Sequence, residues 1–464
     1  MNRYPLPLGT ETLELALPPG TEVLSMSTPE TLADPEAAIA EALVHSINSP
    51  SLEELIAAKL AQHSNPTAVI VISDSTRPVP YTGPAGILWP IIAKLLEHGI
   101  DPGAITVLVA TGTHRPNTLD ELKQMLDPRV FEHNIAVVNH DCRDTDNLAY
   151  LGKTQRGSQV YINKTYLNAD IKILTGLVES HFMAGASGGR KSICPGLIGE
   201  ASTYIFHGAE MLSSPEARDL VLEGNPCHEE ALEVAKMAGA DYIVNVTLDH
   251  QFRLTGVFAG ELEAAHQKAF ERVFGYVSIP IAKPYDIVVT HAGFVGVNHY
   301  QAAKVAVASI PALKPNGKLI IAANNTDPDP VGSPQYRTVL HLLKLMGAEK
   351  FKQLILSPDW TFIPEQWQVQ MWARVFDRIP QEHLVYYSPQ LTQRDYAFVP
   401  GVAGNRYLAP ERVNSATAAD IPQVISAAVS EAVQEFRAKH NTEPTIAYLA
   451  DGPYGIPVTT KTAE

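Results

Sequence analysis

The sequence predicts an α/β protein of two α/β domains, each with a parallel-rich sheet built from Rossmann-like units, and an active site in the interdomain cleft. Three observations carry this. Continuous apolar, β-branched runs such as TAVIVI (67–72) and ITVLVA (105–110) have the composition of strands buried on both faces of a parallel sheet. Helical patterns follow them at the spacing of strand, crossover helix, strand units. A chain of 464 residues also exceeds what one hydrophobic core ordinarily supports. The boundary is expected near Pro280, which gives an N-terminal domain of residues 1–278 and a C-terminal domain of residues 279–464.

Taken in order, residues 10–25 alternate like short strands, and residues 35–60 read as helices broken at Ser49-Pro50. The strand at 67–72 opens onto the loop SDSTRPVP (73–80), and a helix follows at 87–98. The strand at 105–110 ends in TGTHRP (111–116), before a helix at 117–125. Further strands are expected at 135–139, 171–174, 240–248 and 253–258, with an amphipathic helix at 261–273 closing the domain. The second domain begins with a strand at 285–290, a helix at 299–309 and a strand at 317–323 after the turn Lys314-Pro315-Asn316-Gly317. Residues 353–410, rich in proline and aromatics, read as the wall of a pocket or, the expected reading, as filling of an interdomain seam, and a helix at 421–440 and a strand at 445–449 end the pattern.

A formal net charge of −15 argues against a nucleic-acid or anionic-membrane partner, because both require basic surface. It leaves room for a small anionic substrate held by a few local cations. Three widely spaced cysteines, Cys142, Cys194 and Cys227, provide neither a disulfide framework nor a metal knuckle. No stretch approaches the roughly 18 apolar residues of a membrane helix, and the N-terminus lacks the apolar core of a signal peptide. The expected location is the cytoplasm.

The most informative stretch is VESHFMAGASGGRKSICPGLIGEASTYIFHG, residues 178–208. It places His181, Lys191 and His207 around a run of small residues that includes Ser187, Gly188 and Gly189. Glycines there allow close backbone approach, and consecutive amides can form an anion-binding nest. A nucleotide phosphate loop is one reading of SGGRKS, but that motif needs glycine directly before the lysine, where this chain has Arg190. In open α/β sheets ligands lie beyond the carboxyl ends of the strands, which is where Asp74, Arg77, His114 and Arg115 fall. Gln301 and Lys304, three apart near the start of the helix at 299–309, share a face, with Tyr300 beside them.

These motifs carry a resemblance. DSTRP at 74–78, GTHRP at 112–116, SHFMAGASGGRKSICPG at 180–196, FHG at 206–208, HYQAAK at 299–304 and the closing DGPYGIP resemble the nickel-dependent lactate racemase family, which racemises or epimerises 2-hydroxy acids. The two histidines and the lysine keep the family's spacing, ten residues from His181 to Lys191 and sixteen from Lys191 to His207. The resemblance implies a covalently attached nickel-pincer nucleotide, a pyridinium-3-thioamide-5-thiocarboxylic acid mononucleotide, loaded by cofactor-biosynthesis proteins. Lys191 would carry the thioamide tether and His207 would be the fourth nickel ligand, a soft sulfur set with one imidazole that suits nickel. Ser187, Gly188 and Gly189 would hold the nucleotide phosphate.

The implied chemistry suits the substrate. The α-hydrogen of a hydroxycarboxylate is barely acidic, so transfer as hydride through a 2-keto acid avoids a carbanion, with a base to remove the hydroxyl proton. Two bases are needed, one for each enantiomer's hydroxyl position; histidine titrates near working pH, and His114 and His181 match the family's two catalytic histidines. Arg77 matches the group that holds the substrate carboxylate. Tyr300, Gln301 and Lys304 match residues that close on the substrate, and Asp74 orients Arg77 or a histidine. Lactate is the default substrate; malate or a sugar acid is an alternative within the class. Outside it stand a phosphate-binding enzyme using SGGRKS and a non-catalytic cofactor-binding protein.

Overall fold

The structure, a computed structural model, describes residues 1–9 and 11–459. It divides into two compact units, one spanning Thr28–Tyr276 and the other combining Met1–Ser27 with the chain from Val277 onward. The α/β class with parallel-rich sheets holds in both. No helix among the described residues is long and apolar enough to cross a membrane.

In the unit Thr28–Tyr276 a six-stranded sheet runs Leu254–Gly260, Tyr242–Leu248, Ile171–Leu177, Ala68–Ser73, Ile105–Ala110, Ala136–Asn139. All neighbours are parallel except the first pair. The first five residues of Ala68–Ser73 are buried, as expected of a central strand covered on both faces. Helices Pro35–Val44 and Leu52–Gln62 flank the break at Ser49-Pro50; the first is capped by Asp34 and the second by a capping box between Ser51 and Glu54. Strand order reverses direction around Ala68–Ser73. The chain passes to Ile105–Ala110 on one side of it and later returns to Ile171–Leu177 on the other. The loops after these three parallel strands therefore leave the same sheet edge at a topological switch point.

The second unit is built on another six-stranded sheet, in the order Val402–Ala403, Leu384–Tyr387, Leu313–Ala322, Tyr285–His291, Ile446–Leu449, Glu22–Leu24, parallel throughout. Its last strand corrects the expected domain limits: residues 1–27 belong here rather than with residues 28–276. Leu6, Leu8, Leu15 and Leu17 of the hairpin Asn2–Leu8/Glu11–Leu17 are buried in one core with the apolar face of helix Ile421–His440. Strand Glu22–Leu24 completes the sheet edge beside Ile446–Leu449.

One further expectation changes. Lys314 to Gly317 are not a turn before a strand but lie inside the longer strand Leu313–Ala322, at a register shift opposite Tyr285 and Ile287, with Asn316 in the left-handed region at φ 61°. The aromatic segment carries helix Gln366–Arg378, and Trp372 and Tyr386 are fully buried within this unit, where Trp372 stacks on His299 and both Trp372 and His299 meet Tyr336. Burying those rings supplies the apolar area the short strands lack.

Candidate functional site

The three loops at the switch point carry most of the expected residues. After Ala68–Ser73 the chain turns on Asp74, whose Oδ1 accepts from the Thr76 amide at 3.1 Å and the Thr76 hydroxyl at 2.6 Å. Its Oδ2 accepts from His114 Nδ1 at 2.6 Å. Burial pushes the Asp74 carboxyl up, but the His114 ring and the Thr76 donors outweigh it and hold the group below the usual carboxylate range. The carboxylate side chain is 6% exposed and the imidazole 56%, so a buried anion orients a ring that solvent and ligands can reach. Of the partners expected for Asp74, His114 is one that it meets.

The second loop is tied to the third through its backbone. The Gly112 amide donates to Gly196 O at 3.0 Å, and Gly112 lies at φ 56° with Pro195 O 3.3 Å from where a β-carbon would stand. A side chain here would be strained and crowded, so glycine is what lets His114 approach the central loop. Arg115, by contrast, forms an exposed ion pair with Glu121 at 2.5 Å and belongs to the surface.

Lys191 sits in the 3-10 turn Gly189–Ser192, half-buried, its Nζ 5.1 Å from the centre of the Phe206 ring. Burial first, then the Arg190 and Arg77 charges, pull its amine down to about 7. His207 follows Phe206 at the end of helix Glu200–Phe206, the two rings 4.7 Å apart. Burial and the charges of Lys191 and His114 hold His207 down at about 3, which keeps its imidazole neutral. Lys191 thus feels the Arg77 charge, and His207 feels those of Lys191 and His114. Arg77 Nη1 donates to Glu179 Oε1 at 2.5 Å, and both side chains remain about one-third exposed.

The depressed amine predicts a pH dependence. An amine is nucleophilic only when neutral, so with a value near 7 Lys191 is half neutral at pH 7, whereas ordinary lysines, at about 10.4, are almost wholly charged. Labelling with a small amine-reactive reagent, followed by peptide mapping, should give a Lys191 rate that rises through pH 7 and levels off by about pH 8.5. Surface lysines should still be gaining at that pH.

The chain is similar to known proteins over most of its length. The family model described as the lactate racemase N-terminal domain matches residues 8–219. The lactate racemase of Thermoanaerobacterium thermosaccharolyticum is 35% identical over 73% of this chain and 77% of its own. That of Lactiplantibacillus plantarum is 33% identical over 75% and 79%. The chain belongs to the lactate racemase family. It is accordingly an enzyme of the isomerase class, a racemase. The solved structure of the Thermoanaerobacterium thermosaccharolyticum lactate racemase apoprotein superposes with a TM-score of 0.79 at 28% identity, covering 98% of this chain and 100% of that one. A Thermotoga maritima protein, 15% identical with a TM-score of 0.58 over 88% of this chain and 98% of its own, shares the fold.

Within this family setting the small-residue loop has a different job from the one expected. Ser187 donates its hydroxyl to Leu177 O at 2.7 Å and accepts from the Glu179 amide, and the Gly189 amide donates to Asn245 Oδ1 at 2.9 Å. A β-carbon on Gly188 would stand 2.6 Å from Val178 Cγ2, and one on Gly189 would stand 2.8 Å from His266 Cδ2. Ser187 and Gly189 give these donors to the protein itself, and Gly188 and Gly189 leave no room for a side chain.

Sequence reasoning missed the residue that organises this loop. Arg190 is 1% exposed; its Nη2 donates to Ala184 O at 2.9 Å and Ala186 O at 2.8 Å, and its Nη1 donates to His266 Nε2 at 2.7 Å. Burial lowers the guanidinium to about 9, so it stays charged at neutral pH, solvated by carbonyls in place of water. A charged residue inside a run of small ones was the available signal. Asn245, a polar residue in the apolar strand YIVNVTL, was another; Glu179, in a loop, gave none.

In the second unit, helix His299–Ala308 is capped by Asn298 and places Gln301 and Lys304 half-buried on one face. Tyr300 accepts from Trp367 Nε1 at 3.0 Å through its hydroxyl and from Gln368 at 2.6 Å through its carbonyl. No group of three or more His, Cys, Asp or Glu side chains among the described residues is gathered as a metal site by itself. A partly neutral amine at Lys191 and a neutral imidazole at His207 fit a lysine-tethered group with one histidine ligand.

Proposed function

We propose that this chain is a nickel-pincer-dependent racemase of a short 2-hydroxy acid, with lactate as the default substrate. The observation that carries it is the gathering of Lys191, His207, His114 and Arg77 around the switch point of a lactate racemase family member. The proposed group, attached through Lys191 and ligated by His207, supplies when bound a hydride acceptor and donor for the α-carbon.

Everything else is work for the chain. Arg77 uses one nitrogen on Glu179, leaving guanidinium N–H groups for the substrate carboxylate. His114, with its proton fixed on Nδ1 by Asp74, directs the Nε2 lone pair to the substrate hydroxyl and takes its proton, and the Asp74 carboxylate steadies the resulting imidazolium. His181 serves the same oxygen when the opposite enantiomer is bound. Tyr300, Gln301 and Lys304 are proposed to contact substrate. A cytoplasmic location is proposed with this activity.

The test is to co-express the chain with enzymes that make the pincer nucleotide, then follow D-lactate and L-lactate by chiral chromatography. Interconversion in both directions, with about one nickel per chain and an adduct mapped to Lys191, is expected. Inversion of malate or a sugar acid but not lactate would move the substrate within the class. No adduct, no nickel and no inversion, with the machinery shown active on a known lactate racemase, would overturn the assignment.

A further inference from the structure

His140, 2% exposed just past strand Ala136–Asn139, is a buried histidine that the proposed chemistry does not use. Each of its polar groups is engaged. The amide donates to Val109 O at 3.0 Å, and the carbonyl accepts the Thr111 hydroxyl at 2.6 Å. In the ring, Nε2 faces Ile198 O at 3.0 Å and Nδ1 faces Asn163 Nδ2 at 3.1 Å. The Asn163 amide is fixed in sense, because its oxygen accepts the Thr165 N–H at 2.9 Å at the start of helix Lys164–Leu167, so its NH2 group is the one that meets His140. A carbonyl on one side and an NH2 group on the other put the ring proton on Nε2 and the lone pair on Nδ1. Burial holds the ring below its usual range and keeps it neutral.

These bonds join two parts of the candidate site. Thr111 opens the turn that carries His114, and its carbonyl accepts the His114 amide at 2.9 Å. Ile198 lies between Lys191 and His207 in the chain, and helix Glu200–Phe206, which ends at His207, starts just beyond it. Asn163 holds the same stretch, its backbone amide donating to Leu197 O at 3.1 Å. Close after His140, Cys142 O accepts the Glu200 amide at 2.9 Å at the start of that helix. The bond from the Gly112 amide to Gly196 O also ties the two loops, through backbone alone.

We infer that His140 is a positioning residue, holding the loop that carries His114 in register with the segment that carries Lys191 and His207. It acts through those residues and not on the substrate. When a base and the groups that hold a cofactor come from separate loops, rate falls steeply with their spacing, by up to about 10²-fold for a misplacement of about 1 Å. The effect on the reaction rests on the function proposed above; the tie between the loops does not.

Hydrogen exchange of the apo protein, read by mass spectrometry, tests the tie. His140→Leu removes the ring from Ile198 O and Asn163 Nδ2, and Thr111→Val, close to isosteric, cuts the tie from the other end. In both variants peptides covering 111–116 and 197–207 should exchange about tenfold faster, the scale of one lost hydrogen bond, while strand Tyr242–Leu248 keeps its wild-type protection. Faster exchange in one loop alone, in neither, or throughout the unit overturns the inference, and Thr111→Val decides it should His140→Leu fail to fold. In the loaded enzyme kcat, counted per chain carrying the Lys191 adduct, should fall about 10–10²-fold in His140→Leu with KM little changed. His140→Gln, whose amide keeps an N–H for Ile198 O, should recover most of that loss. An unchanged kcat per loaded chain, or a glutamine variant as slow as the leucine one, overturns the positioning role. If the wild type inverts no hydroxy acid, the functional proposal fails, and the exchange experiment alone decides whether His140 ties the loops.

Discussion

Lys191→Ala is expected to abolish both covalent loading and racemisation while leaving the fold intact. The amine lies against the Phe206 ring and is held near 7 at a cost that alanine removes. The loss of function should therefore come without a loss of stability. Co-expression with the loading enzymes, intact mass and circular dichroism separate the two: wild-type mass shift, none in the variant, matching melting curves. Lys191→Arg sharpens the test. It keeps a cation beside Phe206, but a guanidinium is not a nucleophilic amine, so loading should again be lost. A Lys191→Ala protein that still gained the adduct and full activity would remove the lysine from the site.

The second large effect is expected at the Asp74–His114 pair. His114→Ala removes the proposed acceptor and should lower kcat by about 10²–10⁴-fold in both directions, the usual range for a general base, with KM for lactate changed far less. Asp74→Asn should fall in between. An asparagine can present its amide N–H toward His114 and so release the ring from the Nδ1–H tautomer, while leaving the imidazole in place. It also removes the anion that steadies the imidazolium. Because the Asp74 carboxyl is held below the usual range, its charge is present from moderately acidic pH upward and is lost only as pH falls through that lowered value. The wild-type rate should therefore not decline from carboxylate protonation above about pH 5. A His114→Ala enzyme with near-normal kcat would reassign the base.

The parts of the site legible in the sequence were those whose chemistry is local. Apolar β-branched runs announced the central strands because burial on both faces demands such side chains, and ITVLVA was bounded to the residue at Ile105–Ala110. Asp74, Arg77 and His114 were expected at a strand's carboxyl end, and they are there. The central loop was legible as a site but not in its workings. Small residues beside a lysine fit a phosphate nest or a tightly packed protein loop equally well, and only the positions of Val178, Asn245 and His266 decide between them.

By itself, then, the sequence determined the α/β class, the order of most strands and helices, and the set of polar groups at the switch point, because periodicity and strand-end chemistry are written within a few residues. Tertiary structure alone decided what depends on partners distant in the chain. It joined the first 27 residues to the C-terminal unit, since a hairpin's leucines are buried only once helix Ile421–His440 lies against them. It made Arg190 an interior brace, with His266 supplied from 76 residues away. It also gave Asp74 to His114 and Glu179 to Arg77, because charge pairing is settled by distance in space, and neither separation, 40 residues or 102, is visible in a linear pattern.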